Sequence, residues 1–548
     1  MTNVAPGILW NYFLEAIVLT APISIILLYW YRRAVARSMG TVSVVQTESG
    51  EVGQGGRWTA KELSNSTELH EQDHADEDVA ARGLRRRLMV IYVVAGMAAA
   101  AVMTGLYLRS LEVEFNAFRA WMIWYAFCWP TVPTLAALLV IPQRKALLGF
   151  AGFVCVGIAV TLLWSMFSLT VLGRSYVSPW GNAQNFLMFL LMQAWLPYLL
   201  ILITGNRKLR SVSPLVLAGL LVFSFSALAL RNAFVVVLDY PAIRETLLHL
   251  GTSSYYLWFM IAALPVGFAC WQGLRWIGKH FGQKAFSDVQ VLVDTWWLIV
   301  AFDYTVSISN YFGWSGLVGL LAFVAYRLVV ALGLVLSRVS ILPDKRRRLL
   351  LLRVFGFQRR TEKLFDVIAQ RWRFVGTLRM IAGADLAMRT IDPGDFISFL
   401  GGRLRQLFVQ NNRDLSQRLA WLDEARDPDG RFRVNEFFCH DNTWRPTLKA
   451  LLTRSDLVLM DLRAFSESNC GCLFELEQLV ENGLLQRTVF VIDHKTDVPL
   501  LESTLMQHAR RIDALGKDAS LPRLNLSHSE TQSTTDLDRI YGSLHALA

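Results

Sequence analysis

The stretch "SDLVLMDLRAFSESNCGCLFELEQLVENG" (residues 455–483) decides the fold of the C-terminal third of this chain. It begins with an apolar run that predicts a buried strand, continues through a polar turn, and ends in an amphipathic helix carrying Glu475 and Glu477. A nearly continuous apolar strand followed by a helix is typical of a parallel sheet whose faces are covered by helices.

The same alternation recurs on both sides of this stretch. Short apolar runs predict strands at 349–357, 377–383, 431–440, 456–462 and 487–493, and amphipathic runs predict helices at 361–373, 395–409, 443–455, 470–482 and 498–512. We therefore expect a doubly wound, five-stranded parallel α/β domain of the flavodoxin type over residues 344–515, followed by a loose polar tail (516–548) with one short helix.

The part before this domain has the composition of a membrane protein. The whole chain is 53% hydrophobic and only 18% charged, whereas a soluble protein has about 25% charged residues. Apolar stretches near the ~20 residues needed to cross a bilayer predict a polytopic helical domain over residues 1–340, with nine spans at 8–31, 87–108, 118–141, 146–172, 186–204, 212–238, 254–277, 289–308 and 315–338.

The positive charges predict how these spans are oriented. Lys and Arg cluster after spans 1, 3, 5, 7 and 9, and the alternate loops contain few of them. By the positive-inside rule, the N-terminus lies outside and the α/β domain lies in the cytoplasm, at a plasma (bacterial inner) membrane. The net charge of +10 is concentrated at span ends, which favours a lipid bilayer over nucleic acid as partner. Residues 40–82 are polar and acidic and predict a disordered cytoplasmic loop.

Ligands of a doubly wound sheet bind just beyond the carboxyl ends of its strands. After the first strand, Gly356 precedes Arg359 and Arg360 at a helix start, an arrangement that favours a phosphate or another anion. The alternative is that Thr361 caps the helix and the arginines face solvent or anionic lipid. Gly383 and Asp385, after the second strand, are further candidate ligand-binding residues.

The turn and helix of residues 461–476 resemble two related families, the TIR domains and the nucleoside deoxyribosyltransferase-like proteins. The resemblance is carried by Asp461, Leu462, Asn469, Phe474, Glu475 and Leu476, and by the β–α order around them. It implies a TIR-like fold in which the helix glutamate acts on an N-glycosidic bond, with NAD or another nucleotide as substrate or ligand. It also implies a stress or defence effector that works as a homo-oligomer.

Carboxylates suit this chemistry. Glu475 would stabilise or attack the anomeric carbon and Asp461 would be the second acid, whereas Glu477 points about 200° away around the helix. Two alternatives stay open for these residues: nucleotide binding without turnover, as in a regulatory module, and an interaction scaffold.

The cysteines do not predict a metal centre. Cys470 and Cys472 lie near Cys439 and His440 in strand order, but Cys-x-Cys lacks the second matched pair of a zinc site. Small buried thiols are the favoured interpretation.

Charged residues inside predicted spans are candidates for function in their own right. Arg231 lies in span 6, and Asp294 and Asp303 lie in span 8. A pair between Arg231 and Asp303 would lower the cost of burying both. A transporter or channel is therefore an alternative to a helix bundle that anchors or senses.

Overall fold

The computed structural model describes residues 6–40, 67–110, 115–171, 178–206, 212–223, 251–337, 347–353, 358–382, 408–440, 442–513, 524–529 and 534–547, with isolated residues and pairs between 209 and 249 and between 396 and 404. The chain divides into two compact units. The helical unit comprises Met1–Trp30, Arg86–Arg338 and Ile391–Ser398, and the α/β unit comprises Tyr31–Arg85, Val339–Thr390 and Phe399–Ala548.

Long apolar helices dominate the first part of the chain. Within the described residues they are α1 Pro6–Gly40, α2 Thr67–Ser110, α3 Ala117–Phe127, α4 Thr131–Leu138, α5 Gln143–Val171, α6 Pro179–Thr204, α7 Thr252–Gly282, α8 Asp288–Phe312 and α9 Leu321–Leu336, with a 3₁₀ helix at Gly313–Leu320. Five stretches of the described chain are long and apolar enough to cross a membrane: Ala81–Ser110, Gln143–Val171, Pro179–Thr204, Asp288–Ile308 and Gly316–Leu336. They coincide with five of the nine predicted spans.

The other predicted spans have different outcomes. The spans predicted at 8–31 and 254–277 lie within the long helices α1 and α7. The span predicted at 118–141 is two short helices, α3 and α4, which meet at Pro130 because proline cannot donate a helical hydrogen bond. Most of 212–238 lies outside the described residues, apart from a short apolar helix at Ser213–Phe223.

The last part of the loop predicted at 40–82 is helical in the structure. Residues 41–66 lie outside the described residues, but α2 already begins at Thr67. Its first turns are rich in Glu, Asp and Ala, and acidic side chains near a helix N-terminus are stabilised by the helix dipole. The acidic composition that we interpreted as disorder therefore also fits a helix start.

The helix α8 is the most buried of the five membrane-length segments. Its side chains reach three neighbouring helices: Trp296 donates its indole N–H to the Thr204 hydroxyl of α6 at 2.7 Å, Trp297 donates to Thr134 of α4 at 3.1 Å, and Tyr304 donates to the Met103 carbonyl of α2 at 2.5 Å. In a membrane the hydrophobic effect does not favour contact with another helix over contact with lipid. Hydrogen bonds between helices therefore help to determine which helices pack together.

The α/β unit contains one parallel sheet. Its strands are β1 Arg347–Arg353, β2 Gly376–Ala382, β3 Phe408–Val409, β4 Val434–Cys439, β5 Leu457–Asp461, β6 Thr488–Ile492 and β7 Asn525–His528, in the order β3-β4-β2-β1-β5-β6-β7. Its helices are α10 Gln358–Trp372, α11 Asn412–Ala420, α12 Trp444–Leu452, α13 Cys470–Glu481, α14 Val498–Asp513 and α15 Thr534–Leu547.

Helices lie on both faces of this sheet. Val458, Met460 and Leu462 pack in one buried cluster with Cys472 of α13 and Leu501 of α14. Successive side chains of a strand alternate between faces, so Leu457, Leu459 and Asp461 point to the opposite face. That face is covered by α10, which contacts β2, and by α15, which contacts β5, β6 and β7.

The sheet has seven strands rather than the five predicted. All five predicted strands are present within a few residues of their predicted bounds. The two that the sequence analysis missed are short: β3 lies at the end of a segment predicted as helix 395–409, and β7 lies in the segment predicted as a loose tail. The tail instead adds a strand to the sheet through β6, and α15 buries Leu537, Ile540 and Leu544.

We expect the C-terminal helix to contribute to the stability of the α/β unit. Ile540→Ala removes a fully buried side chain of α15 and should cost about 2–5 kcal/mol of unfolding free energy, because the residual cavity adds to the lost transfer energy. Thermal and urea unfolding of the full chain in detergent would measure it. Arg539→Ala, on an exposed neighbour, is the matched control, and equal effects of the two substitutions would contradict the packing role of α15.

Candidate functional site

The direction in which the chain winds reverses between β1 and β5. From β1 the chain moves to β2 on one side, and after β4 it returns to place β5 on the other side of β1. The ends of the two strands are in register, with Arg353 of β1 paired to Asp461 of β5. In doubly wound sheets this reversal opens a crevice at the carboxyl edge, where ligands bind. The motif of residues 461–476 therefore follows one of the two strands that border the crevice.

Asp461 is held by an ion pair with its neighbour Arg463. The guanidinium donates from Nε to Oδ1 at 2.8 Å and from Nη2 to Oδ2 at 2.7 Å. Both side chains are buried, at 2% and 4% side-chain exposure. A bidentate pair of this kind occupies both carboxylate oxygens. The sequence analysis did not identify Arg463, although residues two apart at a strand end share a face.

The turn after β5 (residues 462–469, the β5 turn) is held by hydrogen bonds within itself. The Asn469 side chain accepts from the Ser466 backbone N–H at 2.8 Å and from the Ser466 hydroxyl at 3.1 Å. Ala464 adopts a left-handed conformation with φ 55°, which is unfavourable for a residue with a Cβ. Asn469, predicted as a ligand-binding residue, therefore sits directly before α13 and shapes this turn.

Asp493, at the end of β6, joins its loop to the β5 turn. Its Oδ1 accepts from the Ala464 N–H at 2.9 Å, the Lys495 N–H at 3.1 Å and the Thr496 hydroxyl at 3.1 Å. Burial alone would raise the pKa of Asp493, but hydrogen bonds from Ala464, Thr496 and Lys495 outweigh it and lower the pKa below its ordinary value. Three donors on one oxygen favour the ionised carboxylate and stabilise the strained backbone at Ala464.

Glu475 lies on the buried stripe of α13. It is 2% exposed and shares this stripe with Cys472, Leu476 and Leu479. Because α13 packs on the face of the sheet to which Val458 and Met460 point, the Glu475 helix and the Asp461 side chain are on opposite faces. The structure therefore does not bring the two predicted catalytic carboxylates together on one face. Glu477, by contrast, is half-buried and lies 3.8 Å from His508 of α14.

Aromatic and basic side chains connect the starts of α12 and α13. The rings of Trp444 and Phe474 meet edge to face with centroids 5.4 Å apart. The Arg445 guanidinium lies 5.0 Å from the Phe474 ring, and the Lys449 ammonium lies 5.8 Å from it. We call these four residues the aromatic–basic cluster. It lies at the carboxyl edge because both helices begin there, and the sequence analysis did not identify it.

The other predicted nucleotide-binding residues are only partly described. Gly356, Gly383 and Asp385 lie outside the described residues. Arg359 and Arg360 belong to the first turn of α10, which begins at Gln358. Thr361 is consequently inside the helix, and the alternative interpretation of it as the N-cap is wrong.

Two of the cysteines near this edge belong to the core, whereas Cys470 at the start of α13 is exposed, so the interpretation as buried thiols is wrong for Cys470. Cys439 and Cys472 are buried in the cluster beneath α12, α13 and α14, and burial raises the pKa of the Cys439 thiol to about 11. A cysteine binds a metal ion as its thiolate, and a raised pKa disfavours the thiolate. Within the part of the chain that the structure describes, no group of three or more His, Cys, Asp or Glu residues is placed to hold a metal ion.

The intramembrane charges form a pair that the sequence analysis did not predict. Asp294 of α8 accepts a hydrogen bond from Arg327 of α9, with Oδ2 and Nη1 at 2.7 Å. Asp303 is 5% exposed. The predicted partner Arg231 lies outside the described residues, so a pair between Arg231 and Asp303 stays a prediction.

No protein-family profile, curated protein or solved structure matches this chain. The resemblance to TIR and deoxyribosyltransferase-like domains therefore rests on the residues between Asp461 and Leu476 and on the β–α order.

We expect that removing one partner of the Asp461–Arg463 pair lowers the free energy of unfolding more than removing both charges. Arg463→Met leaves the Asp461 carboxylate buried without its ionic partner, which typically costs about 3–5 kcal/mol. Adding Asp461→Asn removes that charge and should recover much of the loss. Denaturant unfolding of the full chain would measure both effects.

Arg487→Met, on an exposed side chain, is the control for this experiment and should change stability by less than about 0.5 kcal/mol. An Arg463→Met variant as stable as this control would show that the pair contributes little.

The lowered pKa of Asp493 predicts a pH-dependent contribution to stability. An acidic group whose pKa is lower in the folded state stabilises that state in full at pH values above its unfolded pKa, which is about 3.9 for Asp. That stabilisation is lost as the pH falls through the folded value. Asp493→Asn should therefore be less stable than the wild type near neutral pH, and the difference in melting temperature should shrink below about pH 4. A difference that stays constant in acid would contradict this assignment.

Proposed function

We propose that this chain is a membrane protein whose cytoplasmic α/β unit binds a nucleotide at the carboxyl edge of the sheet, in the crevice between β1 and β5. The observation that carries the proposal is the reversal of winding at these two strands, because ligands of doubly wound sheets bind at such a reversal. The β5 turn borders this crevice and is held in one shape by Asn469 and Asp493. A turn that needs no ordering on binding costs less affinity.

The aromatic–basic cluster supports a nucleotide over an uncharged ligand. Half-buried aromatic rings offer a surface on which a base can stack, and such stacking contributes about 1–3 kcal/mol per base. Arg445 and Lys449 lie beside these rings and are exposed. Their positive charges fit the phosphates of a nucleotide such as NAD.

For a catalytic function, Glu475 is the residue that we assign to cleavage of the N-glycosidic bond. A carboxylate shielded from water stabilises positive charge at the anomeric carbon more strongly than an exposed one. Asp461 is neutralised by Arg463, so its role is to position the β5 turn. The proposed protein would then be an NAD or nucleoside N-glycosidase, acting as a homo-oligomeric stress or defence effector at the plasma membrane.

A second candidate is nucleotide sensing without turnover. It is favoured by the burial of Glu475, by the use of both Asp461 oxygens in an ion pair, and by the placement of these two carboxylates on opposite faces of the sheet. In this case the ligand would regulate the helical unit.

Incubating the purified full-length protein with NAD and with nucleosides, while following release of free base, separates these functions. If the protein is a glycosidase, Glu475→Gln should lower base release by about 100-fold or more and leave ligand binding within about twofold of wild type. Glu477→Gln is the matched control, since this glutamate lies two residues away on the same helix and is more exposed than Glu475.

Binding itself is measured by calorimetry on the same preparations, and Trp444→Ala should weaken it if the base stacks on the aromatic–basic cluster. Binding with no base release from the wild type would support the sensing function. Absence of both binding and release for every nucleotide tested would refute the proposal.

A further inference from the structure

Two of the three carboxylates on the helix α8, those of Asp294 and Asp303, are in different electrostatic situations. Asp294 has the Arg327 guanidinium at 2.7 Å. Asp303 lies nine residues further along, is 5% exposed, and its carboxylate has no hydrogen-bonding or ionic partner among the residues that the structure describes. An ionised carboxylate in an apolar interior without a partner is very costly, and such groups take up a proton instead.

The position of Asp303 on α8 shows which helix it faces. It lies seven residues after Trp296, which is almost two full helical turns, so both side chains leave the same side of α8 about 10 Å apart. Trp296 is hydrogen-bonded to Thr204 at the end of α6. Asp303 therefore also faces α6.

The aromatic contacts identify the stretch of α6 that lies opposite Asp303. Phe127 of α3 packs against both Tyr304 of α8 and Phe189 of α6, at centroid distances of 5.2 and 5.7 Å. The two helices are thus antiparallel, with Trp296 beside Thr204 and Tyr304 near Phe189. The residues of α6 between these two points face Asp303.

That stretch of α6 contains a proline. Pro197 is buried inside the helix and has no N–H to donate, so the carbonyl of Gln193 loses its regular helical partner. In membrane helices such freed carbonyls are satisfied by other polar groups, and in some transporters backbone carbonyls of unwound helices coordinate ions. A carboxylic acid can donate to a carbonyl, whereas a carboxylate cannot.

We infer that Asp303, facing the turn of α6 that contains Pro197, is a proton-binding site inside the helical unit. This inference is independent of the nucleotide site. A proton fits better than an alkali metal ion, because a hard cation requires about six oxygen ligands and the described α6 surface opposite Asp303 is mostly apolar. Besides Asp303, the titratable or charged side chains described on α8 and on the elements packed against it, which are α4, α6, α9 and the 3₁₀ helix, are Asp288, Asp294, Tyr304, Tyr198, Tyr326 and Arg327.

Reaction with the apolar reagent dicyclohexylcarbodiimide tests the inference, because this reagent modifies carboxyl groups that are protonated in an apolar environment. The full-length protein would be reconstituted in liposomes, treated over a range of pH, and digested to quantify modified peptides by mass spectrometry. We expect Asp303 to be modified several-fold faster than Asp294, with a rate that falls as the pH rises and is unaffected by sodium at constant ionic strength.

Two variants control the experiment. Asp303→Asn should abolish the modification while keeping the size of the side chain and the melting temperature. Arg327→Met removes the ionic partner of Asp294 and should make Asp294 reactive, which shows that the reagent enters the helical unit. The inference would be overturned if Asp294 reacts in the Arg327→Met variant while Asp303 stays unreactive. Protection of Asp303 by sodium would also overturn it, in favour of a metal-ion site.

Discussion

A charge that is removed from water needs a partner, and this constraint governs how the chain places its polar residues. In the α/β unit, Asp461 is paired with Arg463, and the fully buried Arg379 is bonded to Glu424 and to the Arg454 carbonyl. In the helical unit, Asp294 is paired with Arg327. Such pairs contribute little net stability, but a one-sided loss is costly. They therefore restrict which arrangements of strands and helices the chain can adopt.

The same constraint changes how the carboxyl edge of the sheet is interpreted. A sequence motif treats Asp461 and Glu475 as equivalent acids, whereas the structure gives them different surroundings and different faces. Asp461 holds the Arg463 side chain. Asp493 accepts three hydrogen bonds at Oδ1 and so holds the loops after β5 and β6. Glu475 remains as the acid on the helix beside the aromatic–basic cluster. The β5 turn beside the Glu475 carboxylate is therefore compatible both with binding of the proposed nucleotide and with cleavage of its N-glycosidic bond.

The sequence predicts those elements whose apolar pattern is long enough to be distinctive. The five central strands and α13 were predicted because runs such as residues 456–462 are continuously apolar and end in polar turns. The strands β3 and β7 have two and four residues, too short for a period to appear, and their pairing depends on neighbours far away in the sequence. The partners of buried charges were missed for the same reason, since Arg327 is 33 residues from Asp294. Among these pairs, only Asp461–Arg463 is close enough in the sequence to be predicted from local spacing.

The lengths of the edge strands limit how copies of this chain can associate. The sheet ends in β3, with two residues, and in β7, whose four residues are Asn525, Leu526, Ser527 and His528. An edge strand recruits a second chain only if it offers a long row of unpaired N–H and C=O groups, and short polar edges discourage this. The described edge strands therefore offer few backbone N–H and C=O groups to the sheet of another copy.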